Sequence, residues 1–272
     1  MAESTYQITD NEFQLLSKLV YDISGVVLND SKKVLLTGRL AKRLKALGLA
    51  TYTQYIKFIR DKAHDDELQF MIDLLTTNET YFFREPQHFD FLKQTVIPAI
   101  RPGHALQVWS AAASIGAEAY TIAMVLADKL GVDGNWEILG TDISYSVLEQ
   151  ARRAHYRMAE AEKIPPEYLK KYCLKGVREQ AGTFLIDKRL RSHVHFEQMN
   201  LNVEKLRKPG EFDVIFLRNV LIYFDIPTKK RVVENLIPCL KSGGYLIIGH
   251  SETLNGVTNA LPQLQPTIYR RP

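Results

Sequence analysis

Two stretches of the 272-residue chain hold the side chains with the most chemical reach. The first runs Ser110-Ala111-Ala112-Ala113-Ser114-Ile115-Gly116 and is followed by Glu118. Small residues there let a ligand approach the main chain closely, as the glycines of a dinucleotide-binding turn do, yet G-x-G-x-x-G is absent. The second is Asp142, roughly 25 residues further on, where an acid at a strand tip accepts the two hydroxyls of a ribose. Together they favour an adenosine-containing ligand that lacks a pyrophosphate and disfavour a nicotinamide. S-adenosylmethionine meets that description. Plainer alternatives are that Asp142 caps a helix, that the alanines report tight packing, and that Glu118 complements a helix dipole.

A third stretch, "TTNETYFFREPQHFDFL" from Thr76 to Leu92, sets Arg84 directly behind the aromatics Tyr81, Phe82 and Phe83. An arginine offers a planar fork of donors suited to a carboxylate. No His-Asp or Cys-His constellation accompanies it. His193 and His195 alternate on a presumed strand and read as structural. Cys173 and Cys239 lie far apart without Cys/His clusters, so neither a zinc site nor a disulfide framework is expected. Pro238-Cys239 falls at a helix end, unlike the nucleophile of a cytosine methyltransferase.

The elements that must position these residues fall into two textures. Residues 10 to 75 read as short helices, among them "DNEFQLLSKLVYDISG", with Phe13, Leu16, Val20 and Ile23 at helical spacing. In "KKVLLTGRLAKRLKALGL", Leu36, Leu40, Leu44 and Leu47 form one stripe, while Arg39, Lys42, Arg43 and Lys45 form a cationic face. From Ser31 to Arg60 there are eight Lys or Arg and no acid, a field that would steer an acidic partner. After Leu106 the rhythm becomes strand, turn, helix: "LQVWSAA", "WEILGTDIS", "FDVIFLRNVLIYF" and "YLIIGHSETL" are the strands. Their apolar faces and intervening helices predict a doubly wound, mostly parallel α/β sheet. Between the second and third strands, "GTFLIDKRLRSHVHFEQMNL" alternates with period two, predicting a small antiparallel hairpin set beside the main sheet.

Composition is that of a globular chain, 46% hydrophobic and 24% charged, and its net charge of +4 is too small to argue for nucleic acid. No run approaches a membrane span, and "MAESTYQITDNEF" lacks a signal-peptide pattern, so the cytoplasm is the expected location.

In this order and at these intervals, "TTNETYFFREPQHF", "WSAAASIGAEAYTIAM", "GTDIS", "FDVIFLRNVLIYFD" and "GGYLIIGHSETL" closely resemble the chemotaxis receptor methyltransferases of bacteria, the CheR family. "GRLAKRLKALGL" resembles the basic helix of that family's N-terminal domain. The resemblance implies an all-α receptor-docking domain over residues 1–75. It implies a Rossmann-like S-adenosylmethionine-dependent methyltransferase domain over 76–272, with a β-subdomain at about 172–197. The implied activity is protein-glutamate O-methyl transfer, with S-adenosylhomocysteine as product and no metal. Cofactor contacts would fall on Asn78, Thr80, Arg84, Ala113, Glu118, Asp142, Asn200, Leu201, Arg218 and Asn219. Arg84 and Tyr223 would line the methyl-transfer site, and Arg39, Lys42, Arg43 and Lys45 would dock the cytoplasmic signalling region of methyl-accepting receptors. A regulatory protein is a further possible partner, and a monomer without nucleic acid or membrane insertion is expected. The chain departs from the family at Ser114-Ile-Gly-Ala-Glu-Ala-Tyr-Thr121, where members read S-x-G-E-E-P-Y-S. It also departs at Gly176-Val177-Arg178, where members that hold a receptor's C-terminal tether can show G-x-G. The alternative is a weakly catalytic cofactor-binding adaptor that docks receptors or regulators.

Overall fold

The computed structural model describes residues 6–272, the side chains of Lys62 and Asp65 excepted. The chain divides into two compact units: residues up to Thr77 with Tyr223–Thr228, and Asn78–Ile222 with Lys229–Pro272.

The first unit is helical. α1 (Asp10–Ser24) opens on a reciprocal cap, Thr9 Oγ1 accepting from the Glu12 amide while Glu12 accepts from the Thr9 amide, and it stops at left-handed Gly25. α2 (Lys33–Leu47) ends at left-handed Gly48, α3 (Tyr52–Ile59) is capped by Thr51, and α4 (Asp65–Leu75) opens at His64 without a side-chain cap. Leu36, Leu40 and Leu44 are fully buried with Leu16, Tyr52, Tyr55 and Met71, whereas Leu47 at the end of the predicted stripe is half-buried. Tyr223–Thr228 completes this unit. Val26 and Phe224 form an antiparallel bridge, the Val27 amide donates to the Tyr223 carbonyl at 2.9 Å, and the Tyr21 hydroxyl donates to Asp225 at 2.9 Å.

The second unit begins with α5 (Gln87–Phe91) and is built on β1 (Leu106–Ala111), α6 (Ala117–Leu130), β2 (Trp136–Asp142) and α7 (Tyr145–Arg153). Then come β3 (His155–Arg157), α8 (Pro166–Tyr172), β4 (Cys173–Lys175), β5 (Thr183–Ile186), α9 (Lys188–Arg191) and β6 (Val194–Gln198). β7 (Phe212–Leu217), α10 (Ile226–Leu236, its first three residues in the helical unit), β8 (Leu240–Ile248), β9 (Gln263–Gln265) and β10 (Ile268–Arg270) complete it. The main sheet runs β6-β2-β1-β7-β8-β10-β9, parallel through β8 and antiparallel at β10 and β9. Its central strands are apolar on both faces: Val108, Val214, Phe216 and Ile247 join α6 and the Phe82, Phe89 and Leu92 side chains in one core, while Trp109, Ile215, Leu217 and Leu246 are buried at the alternate positions.

The predicted hairpin set is only partly antiparallel. β3, β5 and β4 make the small antiparallel sheet, but Val194 and Phe196 belong to β6, which pairs parallel with β2 as an edge of the main sheet. Period-two alternation reports a strand with one covered face; it does not say which strand lies beside it. Here Phe196 lies so close over Gly140 that a Cβ there would meet its ring at 2.5 Å, while His195 and Glu197 face water.

Candidate active site

The carboxyl ends of β6, β2, β1 and β7 are neighbours, and strand order reverses between β1 and β7. A doubly wound sheet opens its ligand crevice at such a point. The turn leaving β1 is sharp, with Ala112, Ser114 and Gly116 all left-handed at φ 66°, 51° and 84°. Gly116 is obligatory, since a Cβ would stand 2.9 Å from that of Ala151 on α7. Asp142 Oδ2 accepts from the Ser114 amide and Oδ1 from the Ser144 amide, both at 2.9 Å, so one carboxylate ties this turn to the start of α7. Ala113 is fully buried and its amide donates to the Thr141 carbonyl. The Ser114 hydroxyl donates to the Asn78 carbonyl at 2.8 Å, bringing the start of the aromatic stretch onto the same turn, with Thr80 half-buried nearby in sequence. Beyond β6, Asn200 Oδ1 accepts from the Asn202 amide at 2.8 Å and Leu201 is buried.

Across the β1/β7 boundary lies a charged cluster. Glu118 accepts from the Ser110 hydroxyl at 2.6 Å and from Arg218 Nη1 at 3.0 Å. Arg218, with a side chain 2% exposed, also reaches Glu85 Oε2 from Nη2 at 3.1 Å and donates to the Arg84 carbonyl. Glu85 Oε1 accepts from Asn219 Nδ2 at 3.1 Å and from the His250 amide at 3.3 Å. Glu252 gathers the amides of Asn219 (2.9 Å), Gly249 (2.6 Å) and Ile222 (3.2 Å) and so holds the turn after β7. Two carboxylates thus share one guanidinium, with opposite results. For Glu85, burial pushes the carboxyl up but Asn219, Arg218 and the His250 amide outweigh it, and the group sits below its ordinary range. For Glu118, burial outweighs Arg218 and Ser110, and the group is raised.

Three sets of residues picked out in the sequence have partners within the protein. Arg218 is held within the protein by Glu85 and Glu118, and Asn219 by Glu85 through its side chain and by Glu252 through its amide. Arg84 Nη1 donates to the Glu79 carbonyl at 3.0 Å and the guanidinium lies 5.6 Å from the Tyr81 ring, while the acid next to it turns to Arg218. In α2, Arg39 caps the end of α4 through the Leu74 (2.9 Å) and Thr76 (2.8 Å) carbonyls, and Arg43 pairs with buried Glu67 while lying over Phe70. Lys42 and Lys45 are the exposed members of that set.

Tyr223 belongs to the helical unit. Glu85 and Glu252 were missed as organisers of the site; both lie inside the motifs quoted above, as the acids of "REP" and "HSE". His193 is structural as expected, stacked on Trp136 at 4.1 Å with its ring nitrogens at the Trp136 and Val132 carbonyls. Among the described residues, Glu85, His88 and His250 bring donor atoms within 4.8 Å of one another, but Arg218 and Asn219 already hold Glu85.

Residues 78–270 match the family model described as CheR methyltransferase, SAM binding domain, and residues 11–76 match the model for its all-alpha domain. The chain belongs to the CheR methyltransferase family. Its α/β unit is therefore an S-adenosylmethionine-binding methyltransferase domain, and the crevice at the β1/β7 boundary is where such a fold receives its ligand. The chain is 38% identical to the chemotaxis protein methyltransferase of Escherichia coli K12, over 96% of this chain and 91% of that one. It is 38% identical to that of Salmonella typhimurium, over 96% and 90%, and 38% identical to that of Borreliella burgdorferi, over 97% and 95%. At the departure from the CheR pattern, Ala117 and Ala119 are both fully buried while Glu118 keeps its place beside Arg218. Among the described residues no helix is long and apolar enough to cross a membrane.

Proposed function

We propose that this CheR-family protein moves the methyl group of S-adenosylmethionine onto glutamate side chains in the cytoplasmic signalling region of methyl-accepting chemotaxis receptors, giving glutamyl methyl esters and S-adenosylhomocysteine. The observation that carries this reading is the kind of site the sheet edge offers: an adenosine-suited turn tied to Asp142 and a half-exposed Arg84 in the same unit, with no base and nucleophile pair evident among the described residues. A carboxylate attacking a sulfonium methyl displaces a neutral thioether. Glutamate, with a pKa near about 4.3, is already ionised at neutral pH and needs no general base. Alignment is then the protein's main contribution, and removing translational and rotational freedom can contribute about 7–11 kcal/mol.

In this reading Asp142, held at the strand tip by the Ser114 and Ser144 amides, takes the ribose hydroxyls. Asn78, Thr80, Ala113, Asn200 and Leu201 line the cofactor. Glu118, raised by burial and sharing Arg218 with Glu85, suits the cofactor's ammonium or sulfonium charge. Arg84 orients the substrate or methionyl carboxylate with Tyr223, and Arg218 and Asn219 act through the wall they build. Receptor docking falls to Lys42 and Lys45, because Arg39 and Arg43 are committed inside the helical unit.

The test is incubation with methyl-labelled S-adenosylmethionine and receptor cytoplasmic fragments. Label should enter the fragments as an ester that releases methanol in base. Cofactor binding without any base-labile label on a panel of fragments would leave a docking adaptor and remove the transferase reading.

A further inference from the structure

Arg84 is flanked by Phe83 and Glu85, both held at φ 56° in the left-handed region although neither is glycine. A non-glycine residue stays there only when its surroundings over-determine it, and two such residues straddling one arginine need strong anchors. The Phe83 amide donates to Thr121 Oγ1 on α6 at 3.1 Å. The Arg84 carbonyl accepts from Arg218 Nη2. Glu85 supplies the rest, with Oε2 on Arg218 (3.1 Å) and Oε1 on Asn219 Nδ2 (3.1 Å) and the His250 amide (3.3 Å). Arg218 is itself braced by Glu118 on α6. Every main-chain neighbour of Arg84 is therefore tied to α6, to the end of β7 or to the turn after β8. Arg84 itself is half-exposed, its guanidinium donating to the Glu79 carbonyl.

We propose that Glu85 is a positioning residue for methyl transfer: its carboxylate cross-links the left-handed pair to Arg218, Asn219 and the His250 amide, and so fixes the direction in which the Arg84 side chain leaves the loop. This rests on the role given to Arg84 above. Glu85 does not touch the reacting atoms; it acts through Arg84.

Glycine is the informative substitution, because Glu85→Gly removes the carboxylate yet accepts the left-handed conformation without strain. In the full-length protein, Glu85→Gly is expected to lower kcat by about 100-fold, the order of loss that misplacing a positioned group brings. Receptor KM and S-adenosylhomocysteine affinity should stay within about threefold, the signature of a loss confined to the transition state. Glu85→Gln, which keeps an oxygen for Asn219 and the His250 amide, should recover about tenfold of that loss. Amide hydrogen exchange across residues 78–92 should quicken in Glu85→Gly. Unchanged kcat in Glu85→Gly, or a kcat loss matched by equal losses in cofactor affinity and melting temperature, overturns the positioning role. If the wild-type protein esterifies no receptor fragment, the functional reading fails by itself, and exchange then decides: an unchanged 78–92 segment in Glu85→Gly overturns the loop assignment.

Discussion

Glu118 and Glu85 lean on the same guanidinium and are driven in opposite directions, so each has its own signature in a titration. Glu85 is held below its ordinary range by Asn219, Arg218 and the His250 amide acting against burial. Its contribution to stability is thus fully present above about pH 4.3 and lost as pH falls through the folded value. Unfolding free energies of wild type and Glu85→Gln, measured from neutral to acid pH, should differ at neutrality and converge at the acid end. Glu118 is raised, so between its ordinary and folded values the unliganded protein holds an extra proton there. A cationic cofactor beside it should expel that proton. Calorimetric binding of S-adenosylmethionine in buffers of different ionisation enthalpy should show proton release in that window, absent in Glu118→Gln; proton-neutral binding by wild type would contradict it. At Asp142 the expectation is simpler. S-adenosylhomocysteine at 100 times its Kd should stabilise the wild type by about 2.7 kcal/mol, and Asp142→Ala should lose most of the accompanying shift in melting temperature. Asp142 was legible in the sequence because a strand tip announces itself locally. Glu85 was not, because its partners lie 133 to 165 residues away and pairing at that distance leaves no local pattern.

Helix α2 shows how an amphipathic pattern separates apolar from polar positions without saying what the polar ones do. Leu36, Leu40 and Leu44 were readable as the buried stripe, and they are. Of the four cations on the other face, Arg39 and Arg43 turn inward to carbonyls and to Glu67, a choice that depends on where α4 lies. Arg43→Ala leaves Glu67, 5% exposed, with the Tyr55 hydroxyl as its remaining partner, and urea unfolding should register a loss of about 2 kcal/mol. The pair Lys42→Glu and Lys45→Glu should leave stability within about 0.5 kcal/mol while slowing receptor methylation, more at low salt than at high. A salt-independent loss would point away from electrostatic docking. Gly38, in the interior of the same helix, has open space where a Cβ would go. Gly38→Ala should therefore raise stability by about 0.5–1 kcal/mol. β6 carries the same lesson for strands: its alternation was visible, but its place beside β2 depends on glycine at position 140 admitting the Phe196 ring.

At the scale of the whole chain, the strand-turn-helix rhythm after Leu106 was enough to read a doubly wound sheet, since helices covering both faces demand strands without polar sides. The return of Tyr223–Thr228 to the helical unit has no such signature, because "LIYFD" continues the apolar texture of β7. That return also sets an order of manufacture. A chain synthesised from its N-terminus has α1 to α4 in hand by residue 77, yet the unit they form waits for residue 228, another 151 residues. At about 5–20 residues per second the delay is roughly 8–30 s. β1, β2, β6 and β7 are all made within that interval, so helices made before the sheet belong to the unit whose last piece arrives after most of it.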